Sequence, residues 1–170
     1  TLDSSWIAVV QDSLTEDQLI AFWKDSCSIV ICTTNARDFF PDKSASGTLN
    51  MGRLTTEEIS SLIANLGLSS ANPEVRRLSG VDYVCTTWKQ TFEERCTATA
   101  YVTVNNDSFY LFVLYQPEAR TDYSKEFFDM MENISYDVAP QYKAQGKLDP
   151  NSSAAKRKRL IIISISALIL

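Results

Sequence analysis

The sequence of 170 residues contains no histidine. Histidine is the usual general base near neutral pH and the commonest metal ligand, so its absence excludes a Ser-His-Asp triad and a Cys-His nucleophile. Only four cysteines are present, and none is in CxxC spacing, which argues against a structural zinc site. No EF-hand pattern occurs either. We therefore predict no catalytic residue, no metal and no cofactor.

Basic residues are scarce through most of the chain. Residues 1–140 carry ten Lys or Arg and twenty Asp or Glu, a net charge of −10, whereas residues 141–170 carry six basic residues and one acidic residue. An acidic domain repels phosphate backbones, so nucleic acid is not an expected partner.

A long apolar run occurs only at the C-terminal end. Residues 160–170 are apolar except for two serines, and four basic residues precede them: Lys156, Arg157, Lys158 and Arg159. A transmembrane helix needs about 20 apolar residues. We interpret 156–170 as the start of such a helix, with the basic residues at anionic lipid head groups. An interfacial segment and a soluble core helix are the alternatives. Residues 140–155 are polar and are predicted to be a linker, which leaves 1–139 as one globular domain.

The first half of that domain predicts alternating strands and helices. Residues 6–10 and 28–32 are apolar and β-favouring, so both are predicted strands. Between them, the spacing of four apolar residues predicts a helix that begins after Ser13 or Thr15; its apolar face would comprise Leu19, Ile20, Phe22 and Trp23. Residues 35–53 are predicted to be loop. A second helix begins after Thr55, which stands in capping-box spacing with Glu58.

The second half predicts an antiparallel meander. Three runs rich in Val, Thr and aromatic residues, at about 81–90, 94–104 and 108–116, are separated by short polar breaks. A last helix is predicted to begin near Asp122. The fold class is therefore α+β, with an antiparallel sheet packed against helices.

Two features of the domain suggest particular roles. If the first hairpin turns between residues 90 and 91, Cys85 and Cys96 lie opposite each other and can form a disulfide; two buried free thiols are the alternative. Phe39 and Phe40 lie in a predicted loop, where they either anchor a protein partner or pack at the edge of the core.

The second half also carries a family resemblance. The segment GVDYVCTTWKQTFEERCTATAYVTVNNDSFYLFVLYQP, followed by YSKEFFDMMENISY, resembles the closing half of PsbP/Mog-like domains. More narrowly, the chain is similar to extracytoplasmic domains of membrane-tethered proteins in gut Firmicutes. The resemblance covers about residues 6–138 and implies an α/β/α sandwich with an antiparallel sheet. It implies no activity, because members are mostly binding or accessory proteins without shared catalytic residues. It carries over no binding residue, because members differ most in the loop at 35–53.

Together these features predict a non-enzymatic binding or accessory domain tethered to a membrane. A stalk or subunit domain of a larger membrane protein is the alternative, and a hydrolase or metal-dependent enzyme is less favoured. The basic residues before the apolar run favour a cytoplasmic domain by the positive-inside rule. The family resemblance favours an extracytoplasmic domain, and we expect that placement.

Overall fold

The computed structural model describes residues 2, 4–9, 18–45, 47–68, 72–91 and 94–136. The predicted linker and the basic-apolar tail lie outside these residues, and the domain boundary at 139 stays a prediction. Seven strands are described: β1 (Ile7–Ala8), β2 (Gln18–Lys24), β3 (Cys27–Asn35), β4 (Glu74–Leu78), β5 (Val81–Thr91), β6 (Arg95–Asn105) and β7 (Ser108–Pro117). Three α-helices are described: α1 (Pro41–Ala45), α2 (Thr56–Asn65) and α3 (Ser124–Glu132).

All seven strands form one antiparallel sheet in the order β1-β2-β3-β7-β6-β5-β4. The predicted meander corresponds to β5, β6 and β7, which are neighbours in that order. The N-terminal strands join this meander through the pairing of β3 with β7. The predicted fold class, α+β with an antiparallel sheet, is confirmed.

Alternation of side chains along the strands gives the sheet two buried faces. One face carries Val30, Val84 and Val102 and packs on Leu62 of α2. The other face carries a second core cluster, which includes Phe127 of α3. A helix therefore lies on each side of the sheet, as the predicted α/β/α sandwich requires.

Helix α2 begins as the sequence predicts. The Thr55 side chain accepts a hydrogen bond from the Glu58 amide, and the Glu58 side chain accepts one from the Thr55 amide. This reciprocal capping box satisfies two amides that would otherwise lack partners at the helix start. Gly67 follows the helix with φ of 72°, a conformation that glycine adopts at little cost.

The helix predicted between the first two strands is wrong over its described part. Residues 18–24 form β2, which pairs along its length with β3 through a two-residue turn at Asp25 and Ser26. Both turn residues have positive φ, as a tight hairpin of this hand requires. Ala21 is fully buried in the core on the α2 side. Pairing with β3 therefore outweighs the helical spacing of the apolar residues.

Two further features differ from the expectation. Residues 74–78 form β4, an edge strand that the sequence analysis does not predict. The predicted loop at 35–53 is partly ordered, since it contains α1 and two one-turn 3₁₀ helices, Ala36–Asp38 and Met51–Arg53. The second of these turns positions the groove described below.

Candidate binding groove

A polar groove of about 560 Å³ opens at one end of the sheet, on the side of α2. One wall is the loop before α2, from Gly47 to Arg53. The other wall is the hairpin of β4 and β5, with part of β6. We call this feature the loop–hairpin groove; its lining comprises Gly47, Thr48, Leu49, Asn50, Met51, Arg53, Arg77, Gly80, Val81, Asp82, Thr103 and Val104.

The loop wall is held by alternating buried and exposed residues. Leu49, Met51 and Leu54 are buried in the core beneath α2, which fixes the loop against the sheet. Asn50 caps the 3₁₀ turn, because its side-chain oxygen accepts a hydrogen bond from the Gly52 amide at 2.9 Å. Arg53 is exposed beside this anchored segment. The loop therefore presents polar groups from a fixed backbone.

The hairpin wall is fixed by a tight turn and a cross-strand ion pair. Leu78 and Val81 pair across the turn at Ser79 and Gly80, which have φ of 48° and 83°. One position further from the turn, the guanidinium of Arg77 lies 3.2 Å from the nearer carboxylate oxygen of the opposite Asp82. The next strand supports this pair, since the Thr103 hydroxyl donates to the backbone carbonyl of Asp82 at 3.0 Å.

The two walls meet where Gly52 lies against Asp82. A Cβ atom at position 52 would lie 2.5 Å from a carboxylate oxygen of Asp82. Real Cβ contacts are not this short, so a larger residue at position 52 would require the Asp82 carboxylate to shift. The carboxylate is consequently confined between the Gly52 backbone and the Arg77 guanidinium.

The charges that line the groove sum to +1, because Arg53 and Arg77 outnumber the single carboxylate of Asp82. This balance is opposite in sign to the net charge of −10 over residues 1–140. Two guanidinium groups with amide and hydroxyl side chains between them can hold an oxygen-rich ligand by charge-assisted hydrogen bonds. Within the described part of the chain, no group of three or more Cys, Asp or Glu side chains could hold a metal ion.

Phe39 and Phe40 lie at the edge of the core. Both are half-buried, and each makes an edge-to-face contact with the fully buried Phe109, at centroid distances of 5.6 and 6.1 Å. This is the core-edge packing that was one of the two alternatives for this pair. Partner binding through this pair stays a prediction, and neither residue lines the loop–hairpin groove.

The predicted pairing of Cys85 with Cys96 is wrong. In the observed register, Cys85 lies opposite Tyr101 and Cys96 lies opposite Gln90. Cys96 lies five residues from Tyr101, so the register differs from the predicted one by an odd number of residues. Because side chains alternate along a strand, such a shift places the two sulfur atoms on opposite faces of the sheet. All four cysteines are buried, and none of them forms a disulfide.

The buried thiols are poorly suited to chemistry. Burial raises the pKa of Cys27 to about 11 and that of Cys85 to about 12, and it also raises the pKa of Cys96. The thiolate is the reactive form of cysteine, and a raised pKa makes it rare at neutral pH. These three cysteines are therefore packing residues rather than nucleophiles.

A second polar cluster, near the β2–β3 turn, joins three parts of the domain. The ammonium of Lys24 lies 4.6 Å from the ring centroid of Tyr123 and 5.7 Å from that of Trp6. It also pairs with Glu126 of α3 at 3.2 Å, and the Trp6 indole donates to the same carboxylate at 2.9 Å. The protein's own lysine thus occupies the position between the rings, which makes the cluster a tie between segments rather than a cage for a cationic ligand.

The remaining predicted contact residues, Lys156, Arg157, Lys158 and Arg159, lie outside the described residues. Among the helices of the described residues, none is both long and apolar enough to cross a membrane. The longest of them, α2, spans ten residues.

The groove is absent from the sequence predictions because its hairpin wall depends on β4. One signal for this hairpin is present in the sequence: Ser79-Gly80 lies between residues that favour strands, and a dipeptide of this type between such residues indicates a tight turn. A two-residue turn there places Arg77 opposite Asp82.

No protein-family model matches the sequence, and no curated protein matches it. Among solved structures, the chain is similar to cyanobacterial PsbP (CyanoP) from Synechocystis, with 17% identity, a TM-score of 0.43, and coverage of 75% of this chain and 79% of that one. It is also similar to a protein from Bacteroides thetaiotaomicron, with 12% identity, a TM-score of 0.42, and coverage of 74% of this chain but only 40% of that one.

The first match is a cyanobacterial PsbP, from the family that the sequence resembles. TM-scores of this size support no inference about ligand, partner or activity. The association with gut Firmicutes stays a prediction.

Proposed function

We propose that this protein is a non-enzymatic binding or accessory domain that its C-terminal tail tethers to a membrane. The loop–hairpin groove carries the binding part of this proposal. It is an open, polar cavity on an anchored backbone, lined by side chains that recognise ligands through charge and hydrogen bonds.

The state of the reactive side chains supports binding rather than catalysis. The chain has no histidine to act as a general base. Three of its thiols have raised pKa values because they are buried. In the groove itself, the one carboxylate is engaged by Arg77, and the Thr103 hydroxyl donates its proton to the backbone carbonyl of Asp82 rather than to a base. A site of this composition can hold a ligand but offers no acid–base pair.

The tethering part of the proposal rests on the tail sequence. Four consecutive basic residues, Lys156 to Arg159, precede the apolar run 160–170. Each basic residue near an anionic bilayer contributes about 1 kcal/mol, or about a fivefold change in partitioning. The apolar run adds a contribution that does not depend on lipid charge.

Vesicle flotation of the full chain tests tethering. We expect binding to vesicles of phosphatidylglycerol and phosphatidylcholine to fall about fivefold for each tail residue replaced in the series Lys156→Gln, Arg157→Gln, Lys158→Gln and Arg159→Gln. Binding to pure phosphatidylcholine should change little. As a matched control, Lys143→Gln removes a basic residue from the more distant linker. Equal binding by the wild type and the fourfold variant would contradict the proposal.

We further propose that the domain lies on the extracytoplasmic side, as the family resemblance implies. Protease added to intact cells that express the full chain should then degrade the domain without lysis. Protection until the membrane is permeabilised would place the domain in the cytoplasm instead.

A further inference from the structure

We propose that the loop–hairpin groove binds an oxyanionic group, a phosphate or a carboxylate, between Arg53 and Arg77. This inference deepens the proposed binding function and rests on it. It assigns a ligand class and two contact residues to the groove.

Arg53 is the first element of the site. Its guanidinium lines the groove, is exposed to solvent, and has no hydrogen-bond or ion-pair partner among the described residues. Arg37 and Lys43, by contrast, are engaged in ion pairs with Asp107 and Glu58. A guanidinium has five N–H donors in a planar fork, which match the two oxygens of a carboxylate or phosphate.

Arg77 is the second element. Its side chain is 67% exposed, and its contacts with Asp82, at 3.2 and 3.4 Å, both come from Nη1. The other N–H groups of this guanidinium do not contact Asp82, so they can donate hydrogen bonds to a bound oxyanion. The ion pair therefore orients Arg77 at the groove without using all of its hydrogen-bonding capacity.

Asp82 sets the strength and the selectivity of the site. Its carboxylate lies against Gly52 and pairs with Arg77 at the groove. It offsets one of the two positive charges and repels a bound anion. Replacing this carboxylate with the isosteric amide keeps the shape and leaves a charge of +2, which should strengthen anion binding. A purely structural role for Asp82 predicts no such gain.

The test is isothermal titration of the full chain, in a neutral sugar-based detergent, with inorganic phosphate at constant ionic strength. We expect saturable binding by the wild type. A charge-assisted hydrogen bond contributes enough that Arg53→Gln and Arg77→Gln should each weaken binding by about tenfold or more. Asp82→Asn should tighten it several-fold.

The matched control is Arg76→Gln. Arg76 is the neighbour of Arg77 on the same strand, but it points to the other face and pairs with Glu74 at 2.5 Å. This variant removes the same charge from the same strand and should bind phosphate as the wild type does. Equal weakening by Arg76→Gln and Arg77→Gln, or no effect of Arg53→Gln, would overturn the site. A normal melting temperature for each variant confirms that the fold is retained.

Two further arms identify the source of the oxyanion. Citrate and glycerol phosphate represent free carboxylate and phosphate ligands, and phosphatidylglycerol vesicles represent a lipid head group. If the ligand is a head group, Arg53→Gln should lower flotation with these vesicles, and glycerol phosphate should compete. If the ligand is a free anion, Arg53→Gln should leave flotation unchanged, and the variant should lose the binding of the small anion that titration measures. Failure of all arms overturns the anion site and leaves the tethering test by tail variants unaffected, so the two proposals fail separately.

Discussion

A disulfide introduced between β5 and β6 should stabilise the domain if the hairpin has the observed register. Thr87 and Thr99 lie directly opposite each other, and their hydroxyl oxygens are 3.1 Å apart. The double variant Thr87→Cys with Thr99→Cys therefore brings two sulfur atoms close enough to bond. Thr87 is exposed and Thr99 is half-buried, so an oxidant reaches them more readily than the four buried native cysteines.

The expected gain follows from the length of the closed loop. Cross-linking residue 87 to residue 99 removes chain entropy from the unfolded state, which corresponds to about 3 kcal/mol for a loop of this size. For a domain of this size, that gain raises the melting temperature by roughly 10 °C. Thermal unfolding with and without reductant measures the difference, and peptide mapping under non-reducing conditions confirms the bond.

The control uses the register in which Cys85 and Cys96 would be paired. In that register Thr87 lies opposite Glu94, so the double variant Thr87→Cys with Glu94→Cys would readily form a disulfide. We expect this pair of cysteines to stay reduced. We also expect reductant to leave the melting temperature of the wild type unchanged. If Thr87→Cys with Glu94→Cys closes and the other pair does not, the observed register is wrong.

Three further outcomes follow from individual contacts. Thr55→Ala removes the capping box of α2 and should lower the free energy of unfolding by about 1 kcal/mol in urea titration, whereas Thr56→Ala, at an exposed helical position, should change it little. Phe109→Ala empties a fully buried site and should cost about 3–5 kcal/mol by the same assay. The hydrogen bond from Lys43 lowers the pKa of Glu58 below its usual 4.5. This pair therefore stabilises the fold above that pH, and the stabilisation is lost as the pH falls through the lowered pKa. Acid unfolding of the variant Glu58→Gln should lack this pH-dependent loss of stability.

Local signals were predicted well from the sequence. The start of α2 depends only on Thr55 and the residue three positions later, and both contacts form as expected. The strands of the meander are long and rich in β-branched and aromatic residues, so their existence follows from composition and alternation. Such features need no knowledge of distant segments.

Features that depend on pairing were predicted less well. Leu19, Ile20, Phe22 and Trp23 fit one face of a helix, yet the segment pairs with β3, and a short apolar run of this kind fits either structure. The register of the first hairpin failed for a related reason. The strands extend to Thr91 and resume at Arg95, so the turn is centred later than predicted, and an odd shift exchanges the faces of every side chain.

The groove illustrates the same limit at a single residue. Gly52 lies in a segment that could be interpreted as an ordinary flexible loop, and its backbone does not have the positive φ that usually explains a glycine. The space that a Cβ atom would need at this position is occupied by the carboxylate of Asp82, thirty residues later in the chain. That carboxylate is in place only because β4 pairs with β5 and positions Arg77 beside it. The groove is therefore a product of tertiary pairing, and its two arginines line one cavity only after the sheet has formed.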